Sequence, residues 1–496
     1  MRHFKKMVLM LAAAATAAAL AGCSGSPQGA SGQTTAAGQS TNSQEGQTTG
    51  SGEAAKPASI RWMVHSGLNE ENGTAQWAEE FERLTGIRMD LDIVSNNEYS
   101  TILELAFASG TVPDVFDLTG DNLAVYASQG AVADLTDLVK NSDFYDRVDP
   151  ALFEAITLNG KIYGVPWEIP SGGVTYVRKD WLDRLGMEIP TTYDEFIAML
   201  EAFKTEIPEC KVPFTAPGLK ASMNLAEFYQ GATPEFAKVN GVWVDGMSQD
   251  NMAQGLANLR DAYSRGLLDT EVVTNTTSNC RDQWYSGSVG AFNYWGGQWG
   301  KTLTERLLVN VPDAEVVAIP PIEGAVYELR TPSIMCISSA LSQDQVASVF
   351  QYFMEYMHDG GEGQVLFESG VEGLHWEQEG DKVKPLPSPS NKDELMQKAW
   401  ITPWLAIAPL TVTDKKLDLD ASVTDSLAVI NTYGTQKSVY PVSPTLTKIK
   451  ADLEMLKQEV IAKVIMGDMT VEEGVAKYKS ESEILNVKKV VEEMNQ

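Results

Sequence analysis

At 496 residues, with 43% apolar and 21% charged side chains, the chain is too long for one hydrophobic core and has the composition of a globular protein. That balance excludes a disordered or polytopic membrane class. A net charge of −29 excludes a broad nucleic-acid footprint or an electrostatic hold on anionic lipid, so two lobes and no nucleic-acid partner are expected.

The first 23 residues have a basic start, a short apolar run and small residues at the end, the pattern of a secretory signal. Leu20-Ala21-Gly22-Cys23 resembles a bacterial lipobox, so residues 1–22 are expected to be removed and Cys23 to carry lipid, the protein's one attachment to the membrane. An ordinary signal cleaved elsewhere is the plainer alternative. Residues 24–57 hold Ser, Gly, Thr, Gln and Ala with no aromatic, and cannot form a core. With Cys23 they read as a lipidated tether. Cys210, Cys280 and Cys336 lie in no CxxC and read as small buried apolar residues with at most one disulfide.

Structure is expected from Ile60, where Ile60, Trp62 and Val64 alternate with Arg61, Met63 and His65. Trp77, Phe81 and Leu84 follow at helical spacing up to Gly86, and Ile87, Met89, Leu91 and Ile93 alternate again. Strand, helix, strand is a βαβ unit and implies a parallel sheet. A helix over 97–109 and a strand at 113–117 extend it. Ligands of open α/β sheets sit beyond the carboxyl ends of strands, which nominates His65 to Asn69 and Thr119 to Asn122, Asp121 among them.

Residues 159–203 carry the densest signals. Asn159-Gly160 is a tight-turn pair, Pro166, Pro170 and Gly172-Gly173 forbid a continuous helix or central strand, and Val174 to Arg178 reads as a strand. Thr192 with Glu195 is a capping box. The segment 166–173 is therefore expected to cross from one lobe to the other. Further helices are expected at 222–230 and 249–265, and strands at 290–293 and 316–319. Pro320-Pro321 and Gly324 mark a second crossing, Ser333 to Ile337 returns to the first lobe, and a Pro-rich, charged stretch at 376–398 marks a third. Ser342, Ser443-Pro444 and Thr470 start the later helices, and the remainder reads as helical. Three crossings make a hinge.

Several separated patterns then point to a family. NGKIYGVP at 159–166, YVRKDWLDRLG at 176–186 and PTTYDEF at 190–196, with LAFASGTVPDVF, GGEGQVLFESGVEGLHWE and VIMGDMTVEEGVAKY, together resemble the family 1 extracellular solute-binding proteins, the sugar-capturing subunits of bacterial ATP-driven (ABC) importers. The resemblance implies an α/β, periplasmic-binding-protein-like (type II) clamp of two α/β lobes joined by a multi-crossing hinge. Lobe I is expected at 58–168 plus 325–380 and lobe II at 169–324 plus 381–496. It also implies a carbohydrate ligand, permease subunits as partners, a monomer, and no cofactor. Some members carry a DxDGNGK-like calcium loop after the PTTYDEF helix. The matching stretch here, TEIPECKVPF, lacks oxygen ligands at alternating positions, so no metal is expected.

The chain shows no HExxH, GxSxG or GxxxxGK, so no catalytic residue is nominated, although the abundance of acids leaves a cell-surface glycosidase or lyase open. A sensor component built on the same clamp is the third reading. Indole faces pack on the C–H faces of pyranoses, and Trp167, Trp295, Trp299, Trp376 and Trp404 stand in Gly or Pro settings rather than at helical core spacing. The family resemblance separately places the Trp167 and Trp295 segments at the cleft. His65, Asn69, Asp121, Glu168, Arg178, Asn293 and Arg330 complete the candidate set as hydroxyl or carboxylate partners. Each has a plainer reading as a core residue, a turn cap or a structural ion pair.

Overall fold

A computed structural model describes residues 54–65, 72–95, 98–167, 171–219, 222–380, 382–386, 407, 416–417 and 419–496. The signal, Cys23 and nearly all of the tether lie outside these residues, as do Asn69, Glu168 and Trp404.

The chain enters through β1 (Ser59–His65), the helix Thr74–Thr85 and β2 (Arg88–Val94), and the two strands pair in parallel over their full length. The helix stops where Gly86 takes φ 69°, a left-handed conformation that costs glycine little. The helix Tyr99–Ser109 leads to β3 (Val115–Leu118), parallel to β1 on its other side. Before β4 (Val165–Pro166), Asn159 and Gly160 have φ 52° and 77° and close a bridge between Leu158 and Lys161, as the dipeptide predicts.

A second sheet follows, made of β5 (Gly173–Arg178), β6 (Val212–Thr215), β9 (Val289–Trp295) and β10 (Val316–Ile319) in the order β10-β5-β9-β6. Between β6 and β9 the chain makes a small hairpin of β7 (Phe236–Val239) and β8 (Val242–Asp245). After β11 (Glu328–Leu329), β12 (Ile334–Ile337) rejoins the first sheet and completes its order β2-β1-β3-β12-β4. It runs antiparallel to β3, so the first sheet is mixed rather than purely parallel. The βαβ argument covers only strands joined by local crossovers, and β12 arrives from the second sheet.

Two side-chain cores dominate. The first packs Trp62, Trp77, Phe81, Phe353 and Phe367 edge to face, tilted or, for Trp77 on Phe81, stacked, with ring centroids 5.1 to 6.1 Å apart in the contacts among them. The second packs Phe196, Phe214 and Phe228 against the helices Met252–Ser264, Pro444–Met466, Val471–Ile484 and Val487–Met494. On the other face of the second sheet Tyr176, Trp284, Phe292 and Tyr294 form a further cluster. Capping boxes close at Thr192, Ser342 and Thr470, and Ser443 caps the helix that Pro444 begins. Core membership departs from the expected division at three places. Tyr327 packs into the second sheet's cluster, whereas Ile407 and Val439 join the first core.

The third expected crossing opens differently from the expectation. Residues 376–385 form a hairpin of β13 (Trp376–Glu379) and β14 (Lys382–Pro385), with β15 (Lys416–Leu417) parallel to β14. The helix Ala421–Tyr433 reaches the second sheet's cluster through Ile430. A crossing strand unsuspected from the sequence, β16 (Thr435–Gln436), then runs parallel to β11. Two residues give no alternation to detect.

Candidate functional site

Three stretches of backbone converge between the two sheets. Trp167 N–H donates to Ser333 O at 3.3 Å, Arg330 N–H to Ser171 O at 3.1 Å and Lys437 N–H to Leu329 O at 3.1 Å. Gly172 bridges Leu329, and a Cβ there would lie 2.8 Å from Glu328 O, so only glycine permits this approach. Val439 N–H donates to Ala155 O at 3.1 Å and ties the third stretch to the first core. Gly120, at the start of the helix Gly120–Ser128, is closed in by Thr331 and Val439.

Trp295 stands at this junction. It ends β9 opposite Gly173, is half-buried, and its ring lies 5.5 Å from the Arg330 guanidinium carbon. Its carbonyl accepts from Tyr176 Oη at 2.9 Å. Gly296 N–H donates to Gly172 O at 3.0 Å, which fixes the strand end to the first crossing. Trp167, also half-buried, packs at the edge of the first core. The junction thus brings Trp167, Trp295 and Arg330 to one region. Ser171, Gly172, Thr331 and Gln436, whose Nε2 donates to Arg330 O at 3.1 Å, belong to it and were not nominated from the sequence. Their signal is tertiary pairing across more than a hundred residues.

The other nominated residues divide. Asn293 has no exposed surface, and its Nδ2 donates to Thr175 Oγ1 at 3.0 Å, so it supports β9 from inside rather than lining a surface. Trp299 packs edge-on against Tyr294 at 5.1 Å and carries Arg281 at 5.0 Å from its ring. Two more are engaged inside the fold. Arg178 is 2% exposed at the far end of β5 from Gly173, bound bidentately to Asp180 at 2.8 and 2.6 Å, donating to Gly287 O and lying over Trp181. An acid two residues on captures the fork before any ligand can. Trp376 is buried with Val365 and Val383 and donates Nε1–H to Gly370 O at 2.9 Å, which leaves it no open face. His65 is the last residue of β1, and Asp121 lies in the helix Gly120–Ser128.

Residues 67–352, more than half of the chain, match the family model for bacterial extracellular solute-binding proteins. The chain belongs to that family. Lipoprotein LipO of Bacillus subtilis is 20% identical over 316 residues, 60% of this chain and 63% of its own length. A carbohydrate ABC transporter substrate-binding protein of Streptococcus pneumoniae is 24% identical over 355 residues, covering 68% of this chain and 69% of that protein. For LipO, and for others of the curated relatives, the match spans less than two thirds of their length. Among solved structures, an HMO-binding solute-binding protein of Bifidobacterium longum infantis shares the fold with a TM-score of 0.68 at 19% identity, over 89% of this chain and 98% of that one. As a solute-binding family member the protein is a binding protein and not an enzyme.

Beneath the junction of the crossings lies a polar knot. Thr175 Oγ1 donates to Glu227 Oε1 at 2.5 Å, Tyr327 Oη lies 2.9 Å from the same oxygen, and Glu227 is wholly buried. Burial pushes the Glu227 carboxyl up, against the opposing pull of these hydrogen bonds. Elsewhere burial pushes Glu368 up to about 8 and His358 down to about 3. Among the described residues no group of three or more His, Cys, Asp or Glu is placed to hold a metal, and no helix is long and apolar enough to cross a membrane.

Proposed function

We propose that the protein is a lipid-anchored, extracytoplasmic binding protein that captures a carbohydrate between two lobes and passes it to an ABC-transporter permease. The carrying observation is the Trp295 ring, half-buried where the backbone crossings meet, with Arg330 against it. A flat aromatic face beside a planar cation suits a sugar ring and its hydroxyls. The carbohydrate and HMO in the names of two relatives support this class. In this reading the first core is lobe I and the second core with its sheet is lobe II. Trp167 contributes from the lobe I side, and the crossings bend between the lobes. Ligand touches both lobes only when they close, so closure is a population shift driven by its differential affinity. The lipobox at Leu20–Cys23 supplies the anchor.

The test is thermal unfolding against raffinose, 1-kestose, diacetylchitobiose and trigalacturonate. A glycan at about 100 times its Kd adds about 2.7 kcal/mol. A Tm rise with one glycan class that is lost in Trp295→Ala supports the reading. No shift from any of the four in the wild-type protein sinks it.

A further inference from the structure

Glu227 belongs to the short helix Ala226–Tyr229, pressed against the face of the second sheet that carries Thr175 and Asn293. Hydrogen-bonding groups of four residues meet around it. Thr175 Oγ1 gives its hydrogen to Glu227 Oε1 at 2.5 Å and accepts from Asn293 Nδ2 at 3.0 Å. Tyr327 Oη accepts from Thr175 N–H at 3.3 Å and has two acceptors within reach, Glu227 Oε1 at 2.9 Å and Ile319 O at 3.2 Å. A phenol carries one hydrogen, so both contacts are hydrogen bonds only if the carboxyl supplies a second. Glu227 Oε2 has no partner among the described residues and no exposure. As one end of a carboxylate it would hold charge in apolar packing, and as part of a neutral acid it does not. Among the described residues Tyr327 is the one titratable side chain hydrogen-bonded to the carboxyl.

The partners are distributed along the route from hinge to site. Thr175 follows the first crossing within β5, Ile319 ends β10 where the second crossing begins, Tyr327 lies within that crossing, and Asn293 is two residues before Trp295 in β9. We propose that Glu227 is a positioning residue of the ligand site, a buried acid that retains its proton and through it locks the roots of two crossings to the strand that ends in Trp295. This rests on the reading of the Trp295 junction as the ligand site, and the lock itself is measurable without ligand.

Hydrogen exchange of the purified, glycan-free protein at pH 6 and pH 9, corrected for intrinsic rates, reads the lock in peptides covering 173–178, 293–297 and 325–331. Wild type is expected to lose protection there by about tenfold or more once the pH is high enough to ionise the acid. Glu227→Gln, whose amide keeps a hydrogen at every pH, is expected to hold a flat profile. Tyr327→Phe, which lacks the bridging hydroxyl, is expected to be poorly protected at both pH values, and it serves if the Gln variant does not fold. Tyr327→Phe as well protected as wild type in all three peptides at both pH values overturns the lock. A pH effect confined to 173–178 and 325–331, leaving 293–297 untouched, overturns the positioning role. Silence of the four glycans with the exchange result intact counts against the carbohydrate reading alone.

Discussion

Trp77 and Trp295 are the same residue in two opposite situations. Trp77 has no exposed surface, stacks on Phe81 at 5.5 Å, meets Phe367 edge-on at 5.1 Å and donates Nε1–H to Leu366 O at 3.0 Å. Trp295 is half-buried, packs against the second sheet's cluster, carries Arg330 over its ring and is held by its backbone through Tyr176 and Gly296. An aromatic closed in on every side is a fold element, whereas one left partly exposed can still meet a ligand.

Trp77→Ala is the largest expected perturbation of that contrast. Truncating a wholly buried indole should cost about 3–5 kcal/mol. Urea unfolding checks it, and a loss near that expected for a surface site would erase the distinction. The residue should leave glycan affinity of the folded fraction unchanged.

The cores also differ in their buried acids. Glu368, in the helix Glu362–Ser369 whose Leu366 carbonyl receives Trp77, accepts from Gln364 Nε2 at 2.5 Å, and burial raises its pKa to about 8. Unfolded, a glutamate titrates near ~4.3. Between these values the folded state keeps a proton that the unfolded state has released, so stability falls as pH rises through the window and levels off above about 8. The slope from this one group is at most about 1.4 kcal/mol per pH unit. Denaturation of wild type and Glu368→Gln at pH 5, 6.5 and 8 checks it, with the variant expected to be flatter. Equal slopes would show that Glu368 is ionised in the fold.

Much of this contrast is legible in the sequence. Trp77, Phe81 and Leu84 at helical spacing announce a core, and Trp295 followed by two glycines announces a strand end. The capping boxes and the Asn159-Gly160 turn are legible because they are local. What the sequence withholds is pairing at a distance. Nothing near β11 or β16 says that residues more than a hundred positions apart lie side by side. Arg178 and Trp376 mislead for the same reason. Asp180 could be read as a surface acid, and the packing of Val365 and Val383 around Trp376 comes from chain segments brought together only by folding.

Trp295→Ala should therefore behave as the reverse of Trp77→Ala. It should weaken a bound glycan by about tenfold or more, about 1.4 kcal/mol, with a smaller change in unfolding midpoint than Trp77→Ala gives. Arg178→Lys supplies the control. Losing the bidentate contact to Asp180 should lower stability by about 1–3 kcal/mol and leave affinity as it was. Titration calorimetry beside thermal unfolding separates the two, and loss of affinity in Arg178→Lys would return that residue to the site.

The smallest expected effect lies at the edge of the second core, at a position with neither a ligand nor a buried charge. Thr192 Oγ1 accepts from Glu195 N–H at 3.3 Å, and Glu195 Oε2 accepts from Thr191 N–H at 2.8 Å and Thr192 N–H at 3.2 Å, which holds the Glu195 carboxyl below its usual range. Thr192→Ala exposes one helix-end donor of the helix Tyr193–Glu206 and should cost about 1 kcal/mol. Because the cap is exposed and local, it should change neither glycan affinity nor the exchange of 293–297. A cap variant that moved either would mean that the second core transmits strain to Trp295, and the separation between aromatics that hold the fold and aromatics that face a ligand would fail at its weakest point.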